Sequence, residues 1–271
     1  MNNYIQIKIE NISSTQSEML IAQLSEINFE GFEEEEDFLS AYIEQEALNE
    51  IDLKNILSSH HLTYSKNFIE QKNWNEEWEK NFEPVIIDDF AAIRAAFHKP
   101  VKNVEHEIII TPKMSFGTGH HATTFMMIQQ MRNIDFKNKS VFDFGTGTGI
   151  LAILAEKLGA EKIIAIDNDE WSINNAKENI ERNNCKKIQL ELRNSPISSH
   201  KFEVILANIS KNVILQYLEM LSHSLTESGQ LLVSGLLKED EADILNIILK
   251  LNLRHIHTFF KDKWMIMRLS H

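Results

Sequence analysis

Cysteine is almost absent from this chain: Cys185 stands alone among 271 residues. A single thiol excludes a disulfide framework within the chain and a zinc site built from cysteines. Flanked by Asn183, Asn184 and Lys186, it is not expected to be catalytic. Long apolar runs are missing too. No stretch reaches the ~18 apolar residues of a membrane span. Met1-Asn2-Asn3-Tyr4 lacks a basic segment leading into an apolar one, so no signal peptide is expected. These absences predict a cytoplasmic protein with no membrane association. Positive charge is scarce, with 27 Lys and Arg against 40 Asp and Glu, a net charge of −13. That argues against tight nonspecific binding of nucleic acid, which needs a basic surface. It fits a basic protein or an amine as substrate, drawn in by long-range attraction; it fits plain solubility equally. The charge is also consistent with a monomer. Repeats and low-complexity tracts are absent.

What is present is an ordinary globular composition, 43% apolar, in a length that suits one large domain or two small ones. Residues 4–10 alternate apolar and polar as a strand does. A helix is expected over 15–27, strands over 29–36 and 38–44, a helix over 47–57 and a strand over 61–69. The order β-α-β-β-α-β is the split βαβ unit, so a small α+β domain is expected at 1–70. Its acidic run, Glu33 to Asp37, reads as a solvated edge or as a patch for a basic partner. His60 and His61 read as solvated. Trp74, Trp78 and Phe82 recur every fourth residue and predict one aromatic face of a linker helix over 71–82, which Pro84 ends. Short strands at 85–87 and 91–97 complete a connector at 71–100, and another strand is expected at 107–110.

Next comes Phe116-Gly117-Thr118-Gly119-His120-His121-Ala122-Thr123-Thr124, ahead of a helix at 125–131. Such a loop suits an anion at a helix start, or a helix capped by Thr123 or Thr124. Neighbouring His120 and His121 are not expected to share a metal ion, and no metal is expected elsewhere. Beyond the loop the chain centres on Val141-Phe142-Asp143-Phe144-Gly145-Thr146-Gly147-Thr148-Gly149-Ile150. A buried strand (140–144) runs into a glycine turn and a helix (151–158), the way doubly wound α/β domains hold nucleotide-like cofactors. The dinucleotide fingerprint needs its third glycine at the sixth position. Here it falls at the fifth, and Ile150 occupies the sixth. A second apolar strand, 162–166, ends in Asp167, about twenty residues past the glycines, where an acid can accept both ribose hydroxyls. Capping of the next helix is the alternative role for Asp167, and it is expected of Asp169. Helices at 170–183, 214–225 and 239–251 alternate with strands at 188–192, 202–207 and 230–234. A hairpin of 253–259 and 264–269 across 261–263 closes the chain. This predicts a parallel sheet covered on both faces, with a final antiparallel strand.

Asp143-x-Gly145-x-Gly147-x-Gly149 resembles motif I of class I methyltransferases, which bind S-adenosylmethionine (SAM). Several other segments are similar to one family of them, the PrmA-type methyltransferases of the large-subunit ribosomal protein L-eleven. They are Asn73-Trp74 through Pro84-Val85, Phe116 to Thr124, Asp167 as the motif II acid, Leu206-Ala207-Asn208-Ile209 and Ser234-Gly235-Leu236-Leu237. The resemblance runs from about residue 70 to the end; residues 1–70 match in size and element order only. Where the family loop carries Thr and Pro, this chain has His120 and Ala122.

The resemblance implies a class I, Rossmann-like seven-stranded sheet over 101–271. It also implies a small N-terminal ferredoxin-like domain that recognises the substrate. Thr124, Asp143, Gly145, Gly147, Asp167 and Asn208 are the candidate cofactor residues. SAM is the implied cofactor, and the implied reaction is methylation of lysine or N-terminal amines of ribosomal protein L-eleven. Asn208 is the candidate catalytic residue: an amide is no strong base, so its role would be to orient the amine. Enzymes that methylate planar amines resemble Asn-Pro-Pro-Tyr here. Asn208-Ile209-Ser210-Lys211 lacks that aromatic, which favours an aliphatic amine. The alternatives are a SAM enzyme for another amine or RNA, a non-catalytic module that keeps the fold, and, more distantly, an NAD oxidoreductase.

Overall fold

A computed structural model describes residues 4–10, 12–35, 38–69, 82–113, 115–196 and 200–271. The chain divides into two compact units, residues 1–78 and 79–271. No described helix is long and apolar enough to cross a membrane.

The first unit follows the expected order: β1 (Tyr4–Glu10), α1 (Ser14–Ser25), β2 (Gly31–Glu35), β3 (Phe38–Glu44), α2 (Glu50–Ser59) and β4 (Tyr64–Ile69). The sheet is antiparallel in the order β2-β3-β1-β4. Period-two alternation turns Ile5, Ile7 and Ile9 to one face. There they meet Leu39 and Ile43 of β3, Leu20 and Leu24 of α1, and Leu53 and Leu57 of α2. Full burial stabilises each by roughly 1.5–3 kcal/mol. A reciprocal Ser13–Gln16 capping box starts α1, and the Asn49 side chain caps α2. β4 starts three residues later than its sequence suggests, because His61 takes a left-handed backbone (φ 56°) in the turn that ends α2. The aromatic helix expected over 71–82 lies outside the described residues except for Phe82, which is buried.

The second unit opens with a three-stranded sheet of β5 (Val85–Ile87), β6 (Ala91–Ala95) and β7 (His106–Ile110). Its Ile87, Ile93, Ile108 and Ile110 join the core that covers one face of the large sheet, so the strands read as a connector pack into this unit. The large sheet comprises β8 (Ser140–Phe144), β9 (Lys162–Asp167), β10 (Ile188–Leu192), β11 (Phe202–Asn208), β12 (Leu225–Leu237), β13 (Arg254–Lys261) and β14 (Trp264–Ser270). Their order is β10-β9-β8-β11-β12-β14-β13. The first five run parallel, and β14 lies antiparallel between β12 and β13. Helices α3 (Ala122–Met131) and α4 (Ile150–Lys157) supply Met127 and Ile153 to one core. On the opposite face, α6 (Lys211–His223) and α7 (Glu241–Lys250) supply Leu218 and Ile248. The remaining helix, α5 (Glu170–Arg182), follows β9. This is the seven-stranded Rossmann-like sheet, and strand order reverses between β8 and β11. Ligands of such sheets bind outside the carboxyl ends of the strands at that point.

Two boundaries differ from the sequence expectation for local reasons. β12 is thirteen residues long, not five, and continues through a bulge at Gly235 (φ 92°), where any Cβ would collide with the Ile209 carbonyl oxygen. The closing hairpin turns on Asp262 and Lys263 alone, with Asp262 left-handed (φ 54°).

Candidate functional site

The glycine turn leaves the buried β8 and enters α4 through Gly145, Gly147 and Gly149, at φ of 76°, 54° and 79°. Gly147 lies so close to the preceding loop that a Cβ would stand 2.5 Å from the Phe116 carbonyl oxygen. Hydrogen bonds fix the turn on both sides. The Gly145 and Thr146 N–H groups donate to the Ile166 carbonyl (3.0 and 2.9 Å), at the end of β9. The Thr148 N–H donates to the Phe116 carbonyl (3.1 Å) and its hydroxyl to the Gly117 carbonyl (2.7 Å). Two glycine loops far apart in sequence are thus one construction.

Asp167 ends β9 beside this turn. Its Oδ2 accepts the Gly147 N–H at 2.9 Å and its Oδ1 the Asp169 N–H at 3.1 Å. A carboxylate has about four acceptor positions, so both oxygens keep capacity for further hydroxyl donors. Asp169 caps α5, accepting from the N–H groups of Trp171 and Ser172. Asp143 is fully buried. Its Oδ2 accepts the Thr146 hydroxyl at 2.6 Å, and its Oδ1 has no hydrogen-bond partner among the described residues. Burial pushes its carboxyl up to about 7 against the pull of Thr146 and the nearby Ala152 amide; the Asp167 charge adds to the rise.

Asn208 is the last residue of β11 and is buried. Its Nδ2 donates to the Thr124 hydroxyl at 3.1 Å, which leaves Oδ1 buried and without a partner among the described residues. Thr124 is itself fully buried on α3. That helix starts at Ala122, earlier than expected, and its N-cap is His121, not Thr123 or Thr124. The His121 Nδ1 accepts the Thr123 N–H at 3.4 Å, a role open to an imidazole nitrogen that carries no proton. Burial, with Lys263 nearby, holds the His121 pKa below its ordinary value. His121 also packs edge-on to Trp264, with ring centroids 4.7 Å apart, and against Phe116 at 5.2 Å.

These elements enclose a cavity of about 530 Å³, a volume typical of small-molecule sites (~300–1,000 Å³). Gly145, Gly147, Asp167 and Asn208, all expected from sequence, line it. Asp143 and Thr124 stand behind the lining and support it through Thr146 and Asn208. Phe116, His121 and Thr123 of the loop expected to hold an anion line the cavity too, while sequence reasoning did not single out Phe144, Asn168, Arg193, Ser210 and Trp264. Phe144, Asn168, Arg193 and Ser210 have a common signal: each ends, or closely follows, a parallel strand at the edge where such sheets bind ligands. Trp264 had none, since only the β12–β14 pairing brings it there. His120 and Ala122, the two departures from the family loop, do not line the cavity; the His120 ring packs edge-on to Phe82 at 4.8 Å. Cys185 is buried, and burial raises its thiol to about 11, which leaves it unreactive.

Comparison with known proteins agrees with this geometry. The family described as ribosomal protein L11 methyltransferase (PrmA) matches residues 5–271. A ribosomal protein L11 methyltransferase of Bacteroides thetaiotaomicron is 38% identical over 267 residues, covering 96% of this chain and 95% of that protein. One from Chlorobaculum parvum is 38% identical, covering 97% and 95%. The crystal structure of a ribosomal protein L11 methylase from Lactobacillus delbrueckii subsp. bulgaricus superposes with a TM-score of 0.63 at 28% identity. It covers 70% of this chain and 98% of its own. A match over nearly the whole chain, with a Rossmann-like sheet and a cavity at its switch point, places this protein in the ribosomal protein L11 methyltransferase (PrmA) family.

Proposed function

We propose that the second unit binds SAM in this cavity and that the chain methylates amines of ribosomal protein L11. The observation that carries the reading is the Asn208 Oδ1: a buried acceptor with no partner among the described residues, on a cavity wall beside a glycine turn and a carboxylate with free acceptor positions. A buried acceptor left unpaired is costly, and an amine hydrogen would satisfy it. Asp167 would take the ribose hydroxyls, while Gly145 and Gly147 leave the backbone open to the cofactor's amino-acid part. Bound there, SAM would supply a methyl carbon made electrophilic by its sulfonium.

The remaining work falls to the chain. A lysine amine has a reference pKa of about 10.4 and an N-terminal amine about 8. The wall contributed by Phe116, Phe144, Val213 and Trp264 is apolar, and desolvation there lowers an amine's pKa, which favours the neutral nucleophile. Asn208 then points the lone pair by accepting an N–H, held in its rotamer by the bond to Thr124. Alignment of this kind carries much of the barrier reduction in a displacement. At the position of the planar-amine enzymes' aromatic this chain has Lys211, whose Nζ donates to Asp240 at 2.6 Å, and Ile209 and Val213 give the cavity a lining suited to an aliphatic chain. The first unit is the substrate-recognition domain in this reading, and the net charge of −13 complements a basic ribosomal protein. The enzyme would act in the cytoplasm, as a monomer.

The test is methyl transfer from labelled SAM to purified ribosomal protein L11, followed by mass spectrometry. The expected result is added mass in steps of one methyl, mapped to lysine or N-terminal nitrogens. SAM binding without transfer to this protein would overturn the substrate assignment and leave the cofactor reading standing.

A further inference from the structure

One buried polar array on α5 has no part in the reaction as derived. Asn175, Asn179 and Asn183 recur every fourth residue, which stacks their side chains on one face. Asn175 and Asn179 are fully buried. A helix normally turns apolar residues inward, because a buried carboxamide is costly unless its hydrogen bonds are made. Here they are made mainly to backbone outside the helix, with one bond from Asn179 to the Asn175 side chain and one from Asn183 to the Asn179 carbonyl. Asn183 acts as a substitute strand. Its Nδ2 donates to the Ile109 carbonyl at 2.6 Å and its Oδ1 accepts the Ile109 N–H at 3.0 Å, closing the edge of β7 that faces away from β6.

One turn earlier, Asn179 does something different. Its Oδ1 accepts the Thr111 N–H at 2.7 Å. Its Nδ2 donates to the Thr148 carbonyl at 2.9 Å and to Asn175 Oδ1 at 2.9 Å. Three of the four hydrogen-bonding positions of the carboxamide are therefore filled. Thr148 is the residue that joins the glycine turn to Phe116 and Gly117, and Thr111 begins the segment leading into that loop. Asn179 lines no part of the cavity.

We propose that Asn179 is a positioning residue for the cofactor pocket: its carboxamide fixes the glycine turn at Thr148 and the approach to the 116–121 loop at Thr111 in one register. The preformed wall of Gly147, Asp167 and Phe116 depends on that register. The inference rests on the cavity being the SAM site.

Calorimetric titration with SAM and amide exchange of the SAM-free protein, on three variants and the parent chain, test it. Asn179→Leu removes both arms, Asn179→Asp keeps the acceptor for Thr111 but not the donor to Thr148, and Asn183→Ala removes two bonds to the Ile109 backbone and one to the Asn179 carbonyl, none of them at the cavity lining. The expected result for Asn179→Leu is SAM affinity lower by about tenfold or more, the scale of one or two lost buried hydrogen bonds. Its KM for SAM rises, its KM for the protein substrate does not, and the Thr111 and Thr148 amides exchange faster. Asn179→Asp falls between parent and Leu, and remains informative if Asn179→Leu does not fold. Asn183→Ala loses stability yet keeps its SAM affinity. The proposal is overturned if the Asn179 variants bind SAM like the parent, or if Asn183→Ala weakens SAM as much as they do. A parent chain that binds no SAM defeats the functional reading instead. In that event, unchanged exchange at Thr148 in the Asn179 variants would separately overturn the loop coupling.

Discussion

In the first unit the buried polar side chains, among the described residues, are those of Ser17 and Ser40; its core is otherwise Ile, Leu, Ala and Phe. In the second unit Thr123, Thr124, Asp143, Thr146, Thr148, Asn175, Asn179 and Asn208 are all buried, on the elements that carry the cavity. Apolar packing is non-directional, and it suffices to hold two helices against a sheet. It does not fix the path of a loop that must keep its backbone close to a ligand. Directional bonds do that, and burying the groups that make them is costly unless each is paired. Among the described residues one acceptor on the cavity wall, the Asn208 Oδ1, is left unpaired, which is where the proposed amine would bind.

The contrast can be broken most severely at Gly147. A Cβ there meets the Phe116 backbone oxygen, not a movable side chain. Gly147→Ala is expected to weaken SAM by roughly 100-fold, about 2.7 kcal/mol, as measured by calorimetry. A cavity in the other unit should behave oppositely. Ile7 is fully buried in the first unit, and Ile7→Ala is expected to cost about 2–5 kcal/mol on unfolding of that unit. SAM affinity of the same variant should stay at the parent value; a matching fall in affinity would end the contrast.

Proton linkage sharpens it next. The Asp143 carboxyl stands at about 7 in the fold, against ~3.9 in an unfolded chain. Between those values the folded protein holds a proton that the unfolded chain releases, so this group makes stability fall as pH rises from about 4 to about 7. Relative to Asp143→Asn, the parent should lose up to about 1.4 kcal/mol per pH unit across that window. Denaturant unfolding at several pH values checks this, and parallel curves would contradict it.

The smallest effect is expected at Glu178. Burial works to raise its carboxyl, but Lys113, Arg182 and the Thr111 hydroxyl outweigh burial and hold it at about 2. A depressed acid contributes stability above its unfolded pKa and loses it as pH falls toward the folded value. Glu178→Gln should therefore destabilise at pH 7 by about 1 kcal/mol or less, since the group is partly exposed. The difference should close by about pH 2.

Most of the architecture was legible because it rests on periodicity. Ile5, Ile7 and Ile9 announce a half-buried strand, and the run 162–166 ending at Asp167 announces a buried one. The glycine turn was legible because three close glycines between a buried strand and a helix mark a backbone that can approach a ligand. What was not legible depends on partners distant in the chain. The start of α3 was misplaced because a histidine is not an expected cap; its Nδ1 takes that role once its ring is packed between Phe116 and Trp264. The length of β12 was hidden because Gly229 and Gly235 flank the expected strand at 230–234, whereas both lie within one strand, Gly229 at a crowded point and Gly235 at a bulge. The bonds of the α5 asparagines were not legible, since nothing local reveals that Ile109, Thr111 and Thr148 come to meet them.

Beside any contact it makes with SAM, the main work proposed for Asn208 is to orient the amine. Single-turnover methyl transfer by Asn208→Ala at saturating SAM, beside its SAM affinity, tests this most directly. The expected result is an affinity close to that of the parent chain and a transfer rate lower by about 100-fold, the scale of a misaligned nucleophile. Transfer at the parent rate, or a variant that fails because it no longer binds SAM, would contradict it.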